Sequence, residues 1–133
     1  MTDHKSWKVP LTLSFGFMFF FGSCLVAFGM PQMDYTLYGR VKARGKALTK
    51  SDADYTITME VDGVELARYV MGISRSYKNY YVLKVPMDSD PQVSNKAHKG
   101  DTARIFVNGY PVRENPVTIG NPGETVLMNI SVR

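Results

Sequence analysis

The sequence predicts an all-β domain preceded by an N-terminal hydrophobic helix. After residue 33, apolar and polar residues alternate with a period of two, which is typical of half-buried strands. Strong turn dipeptides separate these stretches at short intervals, whereas residues 9–33 carry no charge at all. A length of 133 residues suits one folded domain. We therefore expect residues 1–29 to act as a signal peptide or signal anchor and residues 30–133 to form a β-sandwich domain.

The uncharged N-terminal segment allows two interpretations. Residues 9–29 are long enough to span a bilayer, which takes about 20 apolar residues, so the segment could remain as an anchor. Alternatively, it is a cleaved signal peptide, because Ala27 and Gly29 are small and correctly spaced for cleavage before Met30. Either interpretation predicts a secreted, extracellular or periplasmic domain, which contacts a membrane only through residues 9–29 if they are retained. Cys24, the only cysteine, belongs to this segment, and we interpret it as a signal-segment residue rather than a lipidation site.

Seven strands are predicted in the remainder of the chain. The clearest alternation places Tyr55, Ile57 and Met59 on one face and the intervening polar residues on the other. Pro111 and Pro116 cannot donate to a strand ladder, so the sixth strand should lie at an edge or be broken. About 100 residues with many short strands is typical of a sandwich or barrel. The predicted strands are 34–44, 54–62, 64–71, 78–86, 101–108, 110–119 and 124–132.

Turn signals support these boundaries. Asp62-Gly63 and Asn108-Gly109 are strong hairpin dipeptides, because tight hairpin turns require positive φ. A further turn is predicted at residues 121–123 (NPG), and residues 99–101 (KGD) should open the fifth strand. The longest predicted loop, residues 87–100, separates the fourth and fifth strands and is polar.

The polar loop, residues 87–100, and the start of the next strand contain the residues that most resemble a metal-binding or catalytic site. Oxygen-bearing side chains could gather there and bind calcium, which takes six to eight oxygen ligands, but their spacing fits no EF-hand, and we favour a solvated acidic loop. His98 has no evident nucleophile or orienting partner, so we expect an exposed loop histidine. The sequence thus predicts no enzyme, with no catalytic, cofactor-binding or metal-binding residue and no cofactor. The oxygen-bearing residues considered are Asp88, Asp90, Asn95 and Asp101.

The charge balance argues against nucleic acid as a partner. Residues 34–133 contain 14 basic and 11 acidic residues, which is close to balance and well mixed along the chain. A nucleic-acid-binding domain would be expected to show a basic stripe.

Tyrosine is the most informative residue type in the folded part. All eight tyrosines follow residue 33, and tyrosine suits interfaces because it combines apolar area with a polar tip. Tyr80 and Tyr81 are neighbours on a predicted strand, so one should be buried and the other exposed. A basic, tyrosine-flanked turn precedes them. The predicted contact surface comprises Arg75, Tyr77, Lys78, Tyr80 and Tyr81.

Several short motifs resemble the carboxypeptidase-regulatory-like, or transthyretin-like, β-sandwich modules of secreted bacterial proteins. Those modules have an early G-x-V strand, a central Y-x-L-x-V-P strand and a late strand that starts at G-D. The matching stretches are residues 38–41 (YGRV), 80–86 (YYVLKVP), 100–101 (GD) and 104–109 (RIFVNG). The sequence departs from the pattern at residues 78–79, where KN stands in place of an Asp-Gly turn. The resemblance implies a seven-stranded Greek-key sandwich with a structural or binding role and no catalytic residues.

These observations predict an exported, non-catalytic β-sandwich at the cell envelope or outside the cell. In one interpretation it is a structural or protein-interaction module, such as a component of a filament or surface assembly. It would then pair with a partner through an edge strand formed by residues 110–119 or 34–44. In the alternative it binds carbohydrate through exposed tyrosines. An unrecognised hydrolase is a third hypothesis, and it would require titratable groups gathered in one pocket.

Overall fold

A computed structural model describes residues 32–133, which fold as an all-β, sandwich-like structure. The leader predicted for residues 1–29 lies outside these residues. Between residues 32 and 133, no helix is long and apolar enough to cross a membrane. A 3-10 turn at Arg75–Tyr77 precedes the strand Tyr81–Val85. The strands are β1 (Tyr35–Gly39), β2 (Val41–Ala43), β3 (Lys46–Ala47), β4 (Thr56–Val61), β5 (Val64–Val70), β6 (Tyr81–Val85), β7 (Thr102–Val107), β8 (Tyr110–Pro111), β9 (Val117–Thr118), β10 (Thr125–Leu127) and β11 (Ile130–Val132).

The strands form sheets whose inner faces share one core. The first sheet has the order β10–β1–β6, with β1 parallel to β10 and antiparallel to β6. Its chain continues into the small sheet β11–β2–β3, where β2 is parallel to β11. The opposing sheet has the order β5–β4–β7–β8, and β9 also pairs with β7.

The predicted alternation is confirmed by burial. Ile57 and Met59 on β4 are completely buried, as are Ala103 and Ile105 on β7. Among the described residues, every buried side chain of the core is hydrophobic. Polar side chains therefore point outward from both sheets, and the outward surfaces are where a partner can bind.

The first and last predicted strands are each interrupted at the same level of the sandwich. The chain of β1 and β2 breaks at Arg40, and the chain of β10 and β11 breaks between Leu127 and Ile130. The Met128 amide donates to the Tyr38 carbonyl (2.8 Å), and the Ile130 amide donates to the Arg40 carbonyl (3.0 Å). The two segments thus bend together and stay paired through the bend.

Gly39 makes the close approach at this bend possible. A Cβ at residue 39 would collide with the Met128 carbonyl oxygen, which is backbone and has little freedom to move. The same oxygen accepts a hydrogen bond of 2.5 Å from the Tyr81 hydroxyl. The bend is therefore fixed from the core side by a tyrosine and depends on a residue without a side chain.

The sixth predicted strand is broken, as its prolines indicate. Only β8 and β9 remain of it, and both pair with β7. Between them, the Asn115 side chain takes the place of a strand neighbour: its Oδ1 accepts from the Ile105 amide (2.7 Å), and its Nδ2 donates to the Ile105 carbonyl (2.9 Å). The side-chain amide thus satisfies the Ile105 amide and adds a second donor to the Ile105 carbonyl, which also accepts from the Val112 amide (3.1 Å).

Two turns confirm their sequence signals and one hairpin was not predicted. Asp62-Gly63 and Asn108-Gly109 both have positive φ at each residue, as tight hairpin turns require. A third such pair, Arg44 (φ 53°) and Gly45 (φ 79°), joins β2 to β3. The sequence analysis missed it because arginine is not a residue that favours positive φ.

The prediction that residues 34–44 form an edge strand is wrong. In the structure β1 lies between β10 and β6, and β2 lies between β11 and β3, so neither is an edge. Long-range parallel pairing with the C-terminal strand segments places residues 34–44 in the middle of their sheets.

Candidate functional site

The outward surface of the sheet β10–β1–β6 carries a row of apolar side chains. We call this surface the outer face. Tyr38 is the central residue of the row: it pairs directly with Val82 on β6 and with Leu127 on β10. Tyr38 and Val82 are half-buried, and the Leu127 residue is 57% exposed. Outward positions of a sheet usually carry polar residues, so three apolar neighbours in one row indicate a surface suited to contact.

Tyr80 extends this row toward the bend. It immediately precedes β6, is exposed, and its ring centroid lies 6.3 Å from that of Tyr38 with the two planes tilted by 57°. The Arg40 guanidinium carbon lies 5.7 Å from the centroid of the Tyr80 ring. This distance is within the range of a cation–π contact, so Arg40 and Tyr80 hold each other at the surface.

A basic groove adjoins the Arg40 end of the outer face. Its volume is about 470 Å³, and it lies between β2, β11 and residues 113–114. Arg40 and Lys42 contribute from the first strand segment and Arg113 from the loop after β8, and all three are exposed. We use the name basic groove for the space that these three cations and Glu114, Asn129 and Ser131 line.

Backbone and side-chain hydrogen bonds fix the walls of the basic groove. The Arg113 amide donates to the Ser131 carbonyl (2.9 Å), which attaches the loop to β11. The Glu114 carboxylate accepts from the Ser131 amide (2.8 Å) and from the Ser131 hydroxyl (2.9 Å). On the opposite wall, the Arg40 amide donates to the Asn129 side-chain oxygen (2.9 Å).

The cations of the basic groove have no carboxylate partner among the described residues. Within residues 32–133 the ion pairs are Glu65 with Arg68 and His98 with Asp101, both elsewhere in the fold. Glu114 is the single carboxylate in the groove lining, and both its oxygens already accept hydrogen bonds from Ser131. The groove therefore presents net positive charge to solvent.

Tyr81 supports the site from within and does not belong to its surface. The predicted contact role of Tyr81 is wrong, because Tyr81 is 0% exposed and its ring lies in the core. Burial raises the pKa of its hydroxyl, and the negative charge of Glu114 raises that pKa further. The expectation that one of Tyr80 and Tyr81 is buried and the other exposed is confirmed.

The other predicted contact residues lie in two separate places. Arg75 and Lys78 are exposed at the 3-10 turn, whereas Tyr77 is half-buried with its ring 6.0 Å from that of Tyr69. Of the five residues, only Tyr80 belongs to the outer face. The structure thus divides the predicted surface between a turn, the core and a sheet face.

The polar loop at residues 87–100 is held by its own side chains. His98 is half-buried: its Nε2 lies 2.6 Å from the Asp90 carbonyl oxygen and its Nδ1 3.3 Å from a carboxylate oxygen of Asp101. The prediction of an exposed histidine is therefore wrong, because the loop folds back over the ring. Asp88 accepts from the Asp90 amide (2.8 Å) and Asp101 from the His98 amide (2.8 Å), so these carboxylates cap turns of the loop. Residues 32–133 contain no group of three or more His, Cys, Asp or Glu side chains placed to hold a metal ion.

Comparisons with protein-family models, with curated proteins and with solved structures found no match to this chain. The sequence analysis missed Tyr38, Arg40, Lys42 and Arg113. A signal existed for three of them, because Tyr38, Arg40 and Lys42 occupy successive outward positions of one predicted strand. Arg113 is distant in sequence and joins them only through the pairing of β11 with β2.

Proposed function

We propose that this protein is an exported, non-catalytic binding domain that acts at the cell envelope or outside the cell. The outer face is its binding surface. A single observation carries the proposal: Tyr80, Tyr38 and Leu127 form a continuous aromatic and aliphatic patch on an outward sheet surface, next to three cations that have no carboxylate partner within residues 32–133. Such groups provide contact area and fixed charge, which is what a binding surface requires.

The strand pattern supports a seven-stranded Greek-key sandwich like that of transthyretin-like modules. If β1 with β2, β8 with β9, and β10 with β11 are each counted as one interrupted strand, then β4, β5, β6 and β7 complete seven. Those modules serve structural or binding roles, which agrees with a surface built for contact.

The partner class that the outer face supports best is carbohydrate. An exposed tyrosine ring can stack on the apolar face of a sugar, and Tyr80 with its neighbour Tyr38 provides two rings at the surface. The β1 strand beneath them is paired on both sides, so the rings stand on a fixed platform. A polysaccharide chain would lie across the outer face, from the apolar row to the basic groove.

Immobilised polysaccharides test this proposal directly. We would measure binding of the purified full chain, in a non-ionic detergent without a sugar headgroup, to cellulose, chitin, mannan, polygalacturonate and alginate by biolayer interferometry. The Tyr80→Ala variant should bind at least one of them about tenfold more weakly than the parent protein, which corresponds to about 1.4 kcal/mol. The matched control is Tyr110→Ala, because Tyr110 is 67% exposed but lies on β8 of the opposing sheet. Equal binding by the two variants would contradict the proposal.

A protein partner is the second candidate, and one observation favours it. Strand β10 is one of the two terminal strands of the sheet β10–β1–β6 within the described residues, and its Leu127 is 57% exposed. Such an edge can accept a further strand. In the opposing sheet, the edge strand β5 is less suitable, because its pairing with β4 shifts register between Met59 and Glu60 and it carries the exposed Glu65–Arg68 ion pair. Strand β8, at the other end and within the predicted edge 110–119, has only two residues, one of them Pro111. If this candidate is correct, light scattering should show polymers of the parent protein and no polymers of the Leu127→Lys variant.

The proposed location rests on residues 1–29 and has its own test. A secreted, cleaved protein would begin at Met30, whereas an anchored protein would retain residues 9–29. The intact mass of the protein recovered from each cell fraction distinguishes the two forms. Recovery of the whole protein in the cytoplasmic fraction would contradict export.

A further inference from the structure

We infer that the ligand of the outer face is an acidic polysaccharide and that the basic groove binds its carboxylates. This inference rests on the proposed function and adds the charge of the ligand. It follows from the positions of three cations, from the absence of a carboxylate partner for them within residues 32–133, and from their contact with an exposed aromatic ring.

The three cations surround one space from two directions. Arg40 and Lys42 are two residues apart along the same chain, so their Cα atoms are separated by about 7 Å. Lys42 pairs with Ser131 on β11, and the Arg113 amide bonds to the Ser131 carbonyl on the other side. Lys42 and Arg113 therefore lie on either side of β11, roughly 10 Å apart at their Cα atoms. Their long side chains can reach a single anion placed between them.

The hydrogen-bonding groups that remain free in the groove are mainly donors. Arginine has five N–H donors, lysine has three, and neither has an acceptor. The Glu114 carboxylate accepts two hydrogen bonds from Ser131 and keeps its negative charge, so one carboxylate stands against three cations in the groove lining. A ligand that fills this groove must supply acceptors and negative charge, and a carboxylate supplies both.

The contact between Arg40 and Tyr80 favours a sugar acid over an acidic polypeptide. The guanidinium and the aromatic ring are 5.7 Å apart and belong to one continuous surface. Each residue of a polyuronate carries an apolar ring face and a carboxylate on the same unit, so it can use Tyr80 and Arg40 together. A run of aspartate or glutamate offers the charge but no ring face, and it would leave the apolar row exposed.

A matched pair of polymers tests the charge of the ligand. Polygalacturonate and its fully methyl-esterified form share one backbone, and the ester replaces each charged carboxylate by an uncharged methyl ester. Binding of each polymer to the full chain would be measured by interferometry. The acid should bind at least tenfold more tightly than the ester, because a charge-assisted hydrogen bond contributes about 1.5–3 kcal/mol. This preference should disappear in about 1 M salt, where the Debye length falls to about 3 Å.

Charge variants show whether the basic groove is responsible. Lys42→Gln and Arg113→Gln should each weaken binding of the acid about tenfold and leave binding of the ester unchanged. The control is Arg104→Gln, which removes the same charge from an exposed position on β7 of the opposing sheet and should have no comparable effect. Circular dichroism would verify that each variant is folded.

The outcomes separate this inference from the proposed function. Equal affinity for acid and ester, or an equal loss with Arg104→Gln, would overturn the inference, while a loss with Tyr80→Ala would still support carbohydrate binding. Polyglutamate that binds as tightly as polygalacturonate would overturn it in favour of an acidic polypeptide. Absence of binding to every polysaccharide in the panel would overturn both proposals.

Discussion

The Tyr81 hydroxyl donates a hydrogen bond to the Met128 carbonyl oxygen, and this bond connects the core of the sandwich to the bend beneath the candidate site. Met128 and Asn129 form the bend in the C-terminal strand, and Asn129 in turn accepts from the Arg40 amide. A buried tyrosine thus fixes the backbone on which the surface residues stand.

Removal of this hydroxyl should destabilise the fold. Tyr81→Phe keeps the ring in the core but leaves the Met128 carbonyl without its tyrosine partner, so the free energy of unfolding should fall by about 1–2 kcal/mol. Urea denaturation at neutral pH measures this change. The control is Tyr110→Phe, which removes a hydroxyl from an exposed ring and should have almost no effect.

The same residue predicts loss of stability in alkali. Burial raises the pKa of Tyr81 in the folded protein above its ordinary value of 10.0, and burial also raises the pKa values of Tyr35 and Tyr69. The unfolded chain then loses its protons first as the pH increases, so the stability contributed by the neutral hydroxyls is present below pH 10 and decreases above it. Denaturation at a series of pH values should show a smaller alkaline decrease in Tyr81→Phe than in the parent protein. An identical decrease would contradict the assignment to Tyr81.

Gly39 should be intolerant of any side chain. In Gly39→Ala the new Cβ meets the Met128 carbonyl oxygen, so the two strand segments must move apart, at a cost of about 3 kcal/mol. Gly109→Ala is the comparison, since a Cβ there meets nothing within 4 Å and only the positive φ of 83° is unfavourable. Amide chemical shifts of Met128 and Asn129 should change in the first variant and stay constant in the second.

Asn115 should contribute to stability through the backbone of β7. Asn115→Ala leaves the amide of the buried residue Ile105 without its partner, while the Ile105 carbonyl keeps the hydrogen bond from the Val112 amide. The free energy of unfolding should fall by about 1–3 kcal/mol, the cost of one unsatisfied buried donor. Asn115→Asp retains the acceptor but loses the donor and should lie between the parent protein and the alanine variant. A change below about 0.5 kcal/mol in Asn115→Ala would show that water replaces the amide.

His98 should order the polar loop without affecting the strands. His98→Ala removes the contacts to the Asp90 carbonyl and the Asp101 carboxylate. Hydrogen exchange of residues 88–97 should become faster, while β4 and β7 keep their protection. Lys99→Ala changes an exposed neighbour and should leave the exchange unchanged. Equal exchange in the two variants would contradict the proposed role of the ring.

Local pattern was sufficient to predict most of the strands and insufficient to predict the site. Alternation along β4 and β7 and the turn dipeptides at residues 62–63 and 108–109 depend on neighbours in sequence, so they could be read directly. The parallel pairing of β1 with β10 joins segments from opposite ends of the domain sequence, and no local sequence pattern predicts it. The parallel pairing of β2 with β11 likewise joins distant segments, and it is this pairing that places Arg113 beside Lys42.

The tyrosines illustrate the same limit. Alternation predicts that Tyr80 and Tyr81 point to opposite sides, but it does not say which one enters the core. That choice depends on the sheet that covers the strand. The nearly balanced charge likewise concealed the basic groove, because its cations come from residues 40–42 and residue 113 and meet only in the folded chain.

The claim that the outer face is the binding surface is tested most directly by nuclear magnetic resonance. Oligogalacturonate would be titrated into the isotope-labelled full chain, and amide shifts would be followed residue by residue. Our account predicts that the perturbed amides cluster at Tyr38, Tyr80, Lys42 and Arg113, with β5 and β8 unaffected. Perturbations confined to the opposing sheet would contradict it, and an absence of perturbation by oligogalacturonate and by neutral oligosaccharides of the panel alike would contradict it too.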